Sequence, residues 1–273
     1  MPSLKESEPP EMTLTKKLSY EFSDTWAVAK RNLLRYTRLP QLVFFSAIQP
    51  IIFLTLFNFV FGGALGKSGA ALHGKYINYL LPGIMVQVTL FGGLQTGIGL
   101  ARDINSGILD RFRSLPMSRA AVLAGRTFAD TLRNVVVIAI MLAYGSILGF
   151  RFTNGFFPAV GMVLILLLFG YAFSWFSAFI GMAVKDEETA QLAGFVLVFP
   201  LVFASAAFVP VQSMATWLQH FANNQPITFA ANGARELALG IPSHGAVWKL
   251  LAWVVGLLVV FVPLSIWRYK KSV

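Results

Sequence analysis

The side chains best able to do chemistry in this sequence are gathered in one stretch, RDINSGILDRFRSLPMSRAAVLAGRTFADTLR, which covers residues 102–133. Ile108, Leu109, Phe112 and Leu115 have the i, i+1, i+4, i+7 spacing of one helical face, while Asp110, Arg111 and Arg113 lie elsewhere on the turn. Pro116 ends that short helix, because the residue before a proline resists the α region, and Ser118 can cap the helix that follows. Two uses suit such an element. Its apolar stripe can dock in the groove of a soluble partner while the arginines fix register, or it can lie on lipid headgroups. Arg119, Arg126, Asp130 and Arg133 then share one face at i, i+7, i+11 and i+14, with Asp130 in pairing range of Arg126 and Arg133. That face is expected to be a solvated helix extension, the alternative being the polar wall of a substrate vestibule.

Bond-making chemistry finds little support. Gly66-Lys67-Ser68 lacks the glycine a phosphate-binding loop needs five positions before its last one, since residue 61 is Phe. No other nucleotide motif occurs, so any ATP site must belong to another chain. His73, His220 and His244 are far apart and without paired carboxylates, so no metal site is expected. There is no Cys nucleophile and no Gly-x-Ser-x-Gly. The turn Lys185-Asp186-Glu187-Glu188 reads as a helix start, with Asp186 the candidate N-cap and the acids favoured by the helix dipole. A second partner contact is the functional alternative there.

The elements that must position these residues are membrane helices. The 273 residues are 56% hydrophobic and 12% charged, about half the charged fraction of a soluble domain. Mean hydropathy is +0.66. Charge-free intervals place spans at about 39–61, 78–101, 121–149, 157–184, 189–209 and 247–267, each near the roughly 20 residues a bilayer requires. The expected fold is therefore an all-α polytopic membrane protein of about six spans, with residues 20–273 as one transmembrane domain. Residues 1–19 are expected to be a disordered tail. Residues 20–38 form an amphipathic helix suited to the interface, with Phe22, Trp26, Ala29, Leu33 and Tyr36 opposite Asp24, Arg31, Arg35 and Arg38. Of the 22 Lys and Arg, seventeen fall before residue 41, between 102 and 133, at Lys185, or after Trp267. That asymmetry predicts both termini inside. It also makes the +10 net charge a property of membrane flanks, so no nucleic acid partner is expected.

Within the spans polar groups are sparse. Gln49 and Asn58 are nine positions apart and so on opposite sides of a straight helix, whereas Gln87 and Gln95 are eight apart and share a face. Gln87 and Gln95, before Gln49 or Asn58, are the candidates for lining a substrate pathway. Gly93-x-x-x-Gly97, Gly145-x-x-x-Gly149 and Ser177-x-x-x-Gly181 offer close helix approach.

The run Asp103, Gly107, Asp110-Arg111, Arg113, Leu115-Pro116, Arg119, Gly125-Arg126, Asp130, Arg133-Asn134 closely resembles the cytoplasmic loop of type-2 ABC exporter permeases, most of all the daunorubicin-resistance subgroup. The likeness extends to Phe208-Val209-Pro210 and to Trp217 and Gln225-Pro226, where much of the wider family has Asn-Pro. The resemblance implies an interfacial N-terminal helix, six spans and a coupling helix between spans two and three. A separate ATPase subunit would dock there, making Asp103, Gly107, Ile108, Asp110, Arg111, Phe112, Arg113 and Pro116 the coupling residues. It further implies two ATPase copies carrying the ATP and Mg, no cofactor on this chain, and a second permease chain as homodimer or paralogue. The setting would be a bacterial cell membrane, with drug or lipid-like cargo. An ion-coupled carrier and an integral membrane transferase are the competing classes. The first usually needs ionisable groups deep in the membrane, and the central portions of these spans contain none; the second needs a convergent cluster of acids or His.

Overall fold

The computed structural model describes residues 14–38, 40–67, 75–108 and 119–271, and these are almost entirely helical. The helices are α1 (Leu14–Arg38), α2 (Pro40–Lys67), α3 (Tyr76–Asn105), α4 (Arg119–Ile147), α5 (Phe156–Val184), α6 (Glu187–Phe203), α7 (Thr216–Asn224), α8 (Pro226–Leu239) and α9 (Ala246–Lys271). Five of them (α2, α3, α4, α5 and α9) are long and apolar enough to cross a membrane. The chain is a polytopic membrane protein. Residues 14–19, expected in the tail, are the first turns of α1.

The fifth expected span, 189–209, is the one that differs. α6 has 17 residues, ending at Phe203 rather than near 209. At 1.5 Å per residue this is about 25 Å, short of a full hydrocarbon core. The sequence there, LVFASAAF, supplies small residues that let other helices reach its backbone. Gln225 donates to the Ala204 carbonyl, Tyr79 and Arg235 to that of Ala206, Arg235 also to that of Ala207, and Tyr76 to that of Phe208. The Ala206 N–H is received by Thr228 Oγ1. Non-helical backbone is tolerated in a membrane protein only where protein groups satisfy it in this way. The polar half of the long interval forms α7 and α8, and α8 packs among α3, α5 and α9.

α3 is the axis of the bundle, with 89% of its apolar window buried. Its closest neighbour is α5, where glycines set the spacing. A Cβ on Gly97 would overlap the Ser177 carbonyl, and one on Gly181 would overlap the Gly97 backbone. Ser177 Oγ donates to the Leu94 carbonyl at 3.1 Å and accepts from the Gly97 N–H at 3.2 Å. The small-residue pattern read in the sequence is thus the contact itself. Leu80, Leu81, Ile84, Met85 and Leu90 fill the core around it. α1 crosses α4 with Val28 and Ala29 buried and Gly125 against the Thr25 carbonyl, while Trp26 stays half exposed.

Candidate functional site

α3 and α4 run antiparallel, joined by the segment that holds residues 109–118. Their shared face is polar in a regular way. Positions 103, 99, 96 and 92 of α3 follow helical spacing and meet positions 126, 130 and 133–134 of α4. Asp103 takes an ion pair from Arg126, and Arg31 of α1 stands 4.0 Å from the same carboxylate. Arg126 reaches it across Gly99, where a Cβ would strike the guanidinium. One turn further in, Thr96 Oγ1 donates to Asp130 at 2.6 Å. Beyond that, Arg133 donates to the Gly92 carbonyl at 2.9 Å, and the Asn134 side chain occupies the space a Cβ on Gly92 would need.

The expected solvated extension is therefore corrected. Asp130 and Arg133 are buried between the two helices, and Arg126 pairs with Asp103 rather than Asp130. Ionisable groups do lie inside a candidate span. The signal that could have found them is the pair Gly92 and Gly99, one on each side of Thr96 on the same α3 face, which open room for long polar side chains from a neighbour.

This ladder ends at a cavity of about 110 Å³. Four helices line it: α2 gives Ser46 and Gln49, α3 gives Gln87 and Gln95, α4 gives Arg133 and Asn134, and α6 gives Phe195. Three of the four glutamine and asparagine positions singled out in the sequence come together here. Asn58 does not, as its half-turn offset from Gln49 requires. Gln95 is exposed to the cavity, whereas Gln87 is 3% exposed with its Oε1 lacking a hydrogen-bond partner. Phe91, its ring 5.4 Å from that of Phe195 and tilted 47° to it, adds an apolar wall. Gln49 and Phe195 would not pair by any local signal, since they are far apart in sequence on α2 and α6.

At the opposite end of the ladder α3 terminates at Gly107, whose φ of +67° suits glycine and strains other residues. Gly107 donates to the Ile104 carbonyl at 3.1 Å, and Ile108 begins the next turn. Asp110, Arg111, Phe112, Arg113 and Pro116 lie outside the described residues. Beside this exit Arg102 Nε donates to Glu187 at 2.8 Å, tying α3 to the start of α6. Asp186 caps α6 as expected, accepting from the Thr189 hydroxyl at 2.6 Å and its N–H at 2.7 Å. Those two bonds, the hydroxyl first, hold the Asp186 carboxyl below the usual range. The end of the bundle where α3 stops and α4 starts thus also carries the 185–188 turn, α1 and the C-terminal turn of α9, where Arg268 lies 3.4 Å from the Ala183 carbonyl.

Residues 23–239 match the model of the family described as ABC-2 type transporter. The chain is 35% identical over 242 residues to a daunorubicin resistance ABC transporter permease protein of Streptomyces coeruleorubidus, covering 89% of this chain and 84% of that protein. It is 29% identical over 252 residues to a probable doxorubicin resistance ABC transporter permease protein of Mycobacterium tuberculosis, covering 92% and 89%. A putative transport permease of Cyanophora paradoxa is 25% identical over 215 residues, 78% of this chain and 73% of its own length.

Proposed function

The chain belongs to the ABC-2 type transporter family, and on that premise we propose that it is the membrane permease subunit of an ATP-driven exporter of drugs or other amphipathic, lipid-like compounds. The observation that supports this best is the ladder from Asp103 to Asn134, which runs from the C-terminal end of α3 to the polar cavity. A permease needs both ends: a contact that receives motion and a cavity that responds to it.

In this reading the ATPase is a separate subunit, present twice and carrying the ATP and Mg. It docks on Asp103, Gly107, Ile108, Asp110, Arg111, Phe112, Arg113 and Pro116, with the 185–188 turn beside it. α6 serves as the fifth of six crossings, so both termini face the cytoplasm of a bacterial cell, in line with the bias of Lys and Arg. Closure of the two ATPases shifts the end of α3. Ion pair and hydrogen bonds make α3 and α4 move together, which changes the wall of the cavity they share. Gln49, Gln87, Gln95 and Arg133 hold the polar part of the cargo, and Phe91 and Phe195 its apolar part. At about 110 Å³ the cavity falls below the several hundred Å³ of a drug-sized site, so a second permease chain, identical or paralogous, completes it.

The test is co-expression with the partner ATPase, comparing wild type with the Asp110→Ala, Arg111→Ala double variant. Export and ATPase copurification should fall together while membrane insertion is unchanged. Normal export by the double variant overturns the coupling role. The permease purified alone should hydrolyse no ATP above a mock preparation. Buried Asp130 favours one competing reading, an ion-coupled carrier. Export that persists without ATP and stops when the proton gradient is dissipated would establish that reading instead.

A further inference from the structure

The end of the bundle that carries α7 and α8 encloses a second space, remote from the glutamine cavity and much larger, about 600 Å³. That is within the range of small-molecule sites. Its walls are largely apolar, and the charged side chains set in them are of one sign. Arg235 and Lys249 contribute the basic side chains, and Gln212, Asn223, Thr228 and Asn232 contribute neutral amides and a hydroxyl. Among the described residues no Asp or Glu lines it. Glu236 is the sole acidic side chain in the sequence after Glu188, and one of its oxygens accepts from the Ser243 hydroxyl. His244 is the one other titratable cation-forming group on the wall.

Arg235 is the unusual member. It is 3% exposed, yet none of its hydrogen bonds goes to a carboxylate. Nε donates to the Tyr79 carbonyl at 2.9 Å, Nη1 to Asn232 Oδ1 at 2.9 Å, and Nη2 to the Ala206 and Ala207 carbonyls at 2.7 and 3.1 Å. The guanidinium also lies 3.5 Å over the Tyr79 ring. These partners fix its position and leave its formal charge unneutralised, with donor capacity remaining at Nη1. A buried cation is costly unless a counter-charge compensates it. Lys249 adds a second cation on the same space, 5.5 Å from the Phe229 ring. The walls concentrate a positive potential that only an anion relieves.

The level of the chamber identifies which anion. Trp217 on α7 and Trp248 on α9 are 75% and 76% exposed, and Phe221 is exposed on the same short helix as Trp217. Tryptophans at the ends of apolar helices mark the headgroup layer, and Lys249 sits in the first turn of the apolar helix α9. We propose that this chamber is a binding site for a phosphate-type anion, supplied in the membrane by the headgroup of an anionic lipid. Arg235 provides the fixed charge and Lys249 the movable one. The site does not depend on the identity of the cargo.

Full-length permease in detergent is titrated with phosphatidylglycerol or phosphatidylcholine and the retained lipid counted by native mass spectrometry. The variants are Lys249→Gln, on an exposed side chain, and Lys271→Gln, which removes the same charge at the far end of α9. Wild type and Lys271→Gln should retain phosphatidylglycerol over phosphatidylcholine, and Lys249→Gln should lose about fivefold of that preference, the effect of one basic residue at a membrane surface. A parallel arm adds inorganic phosphate. Lipid retention that survives phosphate assigns the site to the headgroup, whereas displacement assigns it to the free anion. Equal retention in the Lys249 and Lys271 variants, or no preference for the anionic lipid in wild type, overturns the proposal.

Discussion

Thr96 Oγ1 donates a 2.6 Å hydrogen bond to Asp130 Oδ2, and both side chains are sealed from solvent, at 0% and 3% exposure. It is the central rung between α3 and α4, midway from the Asp103–Arg126 ion pair to the cavity at Gln87. A hydrogen bond to a buried charge contributes about 1.5–3 kcal/mol. Thr96→Val, which keeps the shape and removes the donor, should lower thermal stability and raise the ATP hydrolysed per cargo exported, while Thr96→Ser should behave as wild type. Equal behaviour of the two variants in a melting curve and a transport assay would sink the idea that this bond couples the helices.

Gln87 separates function from packing. Its buried Oε1 has no partner, a state that costs about 1–3 kcal/mol. Gln87→Leu removes that cost, so the melting temperature should rise while export falls or its compound preference changes. Gln95→Ala, on the exposed side of the cavity, should change preference without a stability gain. A Gln87→Leu protein that melts lower and exports the wild-type range would make this glutamine an interhelical bonding group instead.

The α3–α5 contact leaves no room for a Cβ at Gly97. Gly97→Ala places a methyl against the Ser177 carbonyl, which is backbone and cannot turn away. Overpacking of this kind costs about 1–3 kcal/mol, so the yield of folded protein should fall. Gly256→Ala on α9 meets nothing within 4 Å and should be neutral or slightly stabilising, since Ala is the better helix former. Size-exclusion profiles of the two variants side by side are the check.

The cap at Asp186 has a defined pH dependence. Its carboxyl is held below the ordinary value by the Thr189 hydroxyl and N–H. A depressed folded value means the contribution is fully present above the unfolded value of about 3.9 and is lost as pH falls through the folded one. From pH 5 to 8 the melting temperature should therefore show no term from this cap. Asp186→Ala should lower it by a constant amount across that window, and Asp186→Asn by less, because Asn also caps. A deficit in Asp186→Ala that varies between pH 5 and 8 would contradict the assignment.

Much of this molecule was legible in order along the chain. Apolar intervals interrupted by charge mark the long helices, because lipid demands about 20 apolar residues per crossing whatever packs beside them. Asp186 could be read as a cap from its three neighbours, since capping is local. Helical angle alone separated Gln49 from Asn58 and joined Gln87 to Gln95. The place where α6 stops was not legible, because it depends on Arg235, Gln225 and Thr228 arriving from α8 to satisfy a backbone 20 to 30 residues away. Nor was the burial of Asp130 and Arg133. On α4 by itself their face is polar and reads as wet. It becomes interior only because Gly92 and Gly99 let α3 come close and Thr96 and the Gly92 carbonyl supply partners. Local spacing decides which side chains share a helical face, and only the tertiary structure decides whether that face meets water, lipid or another helix.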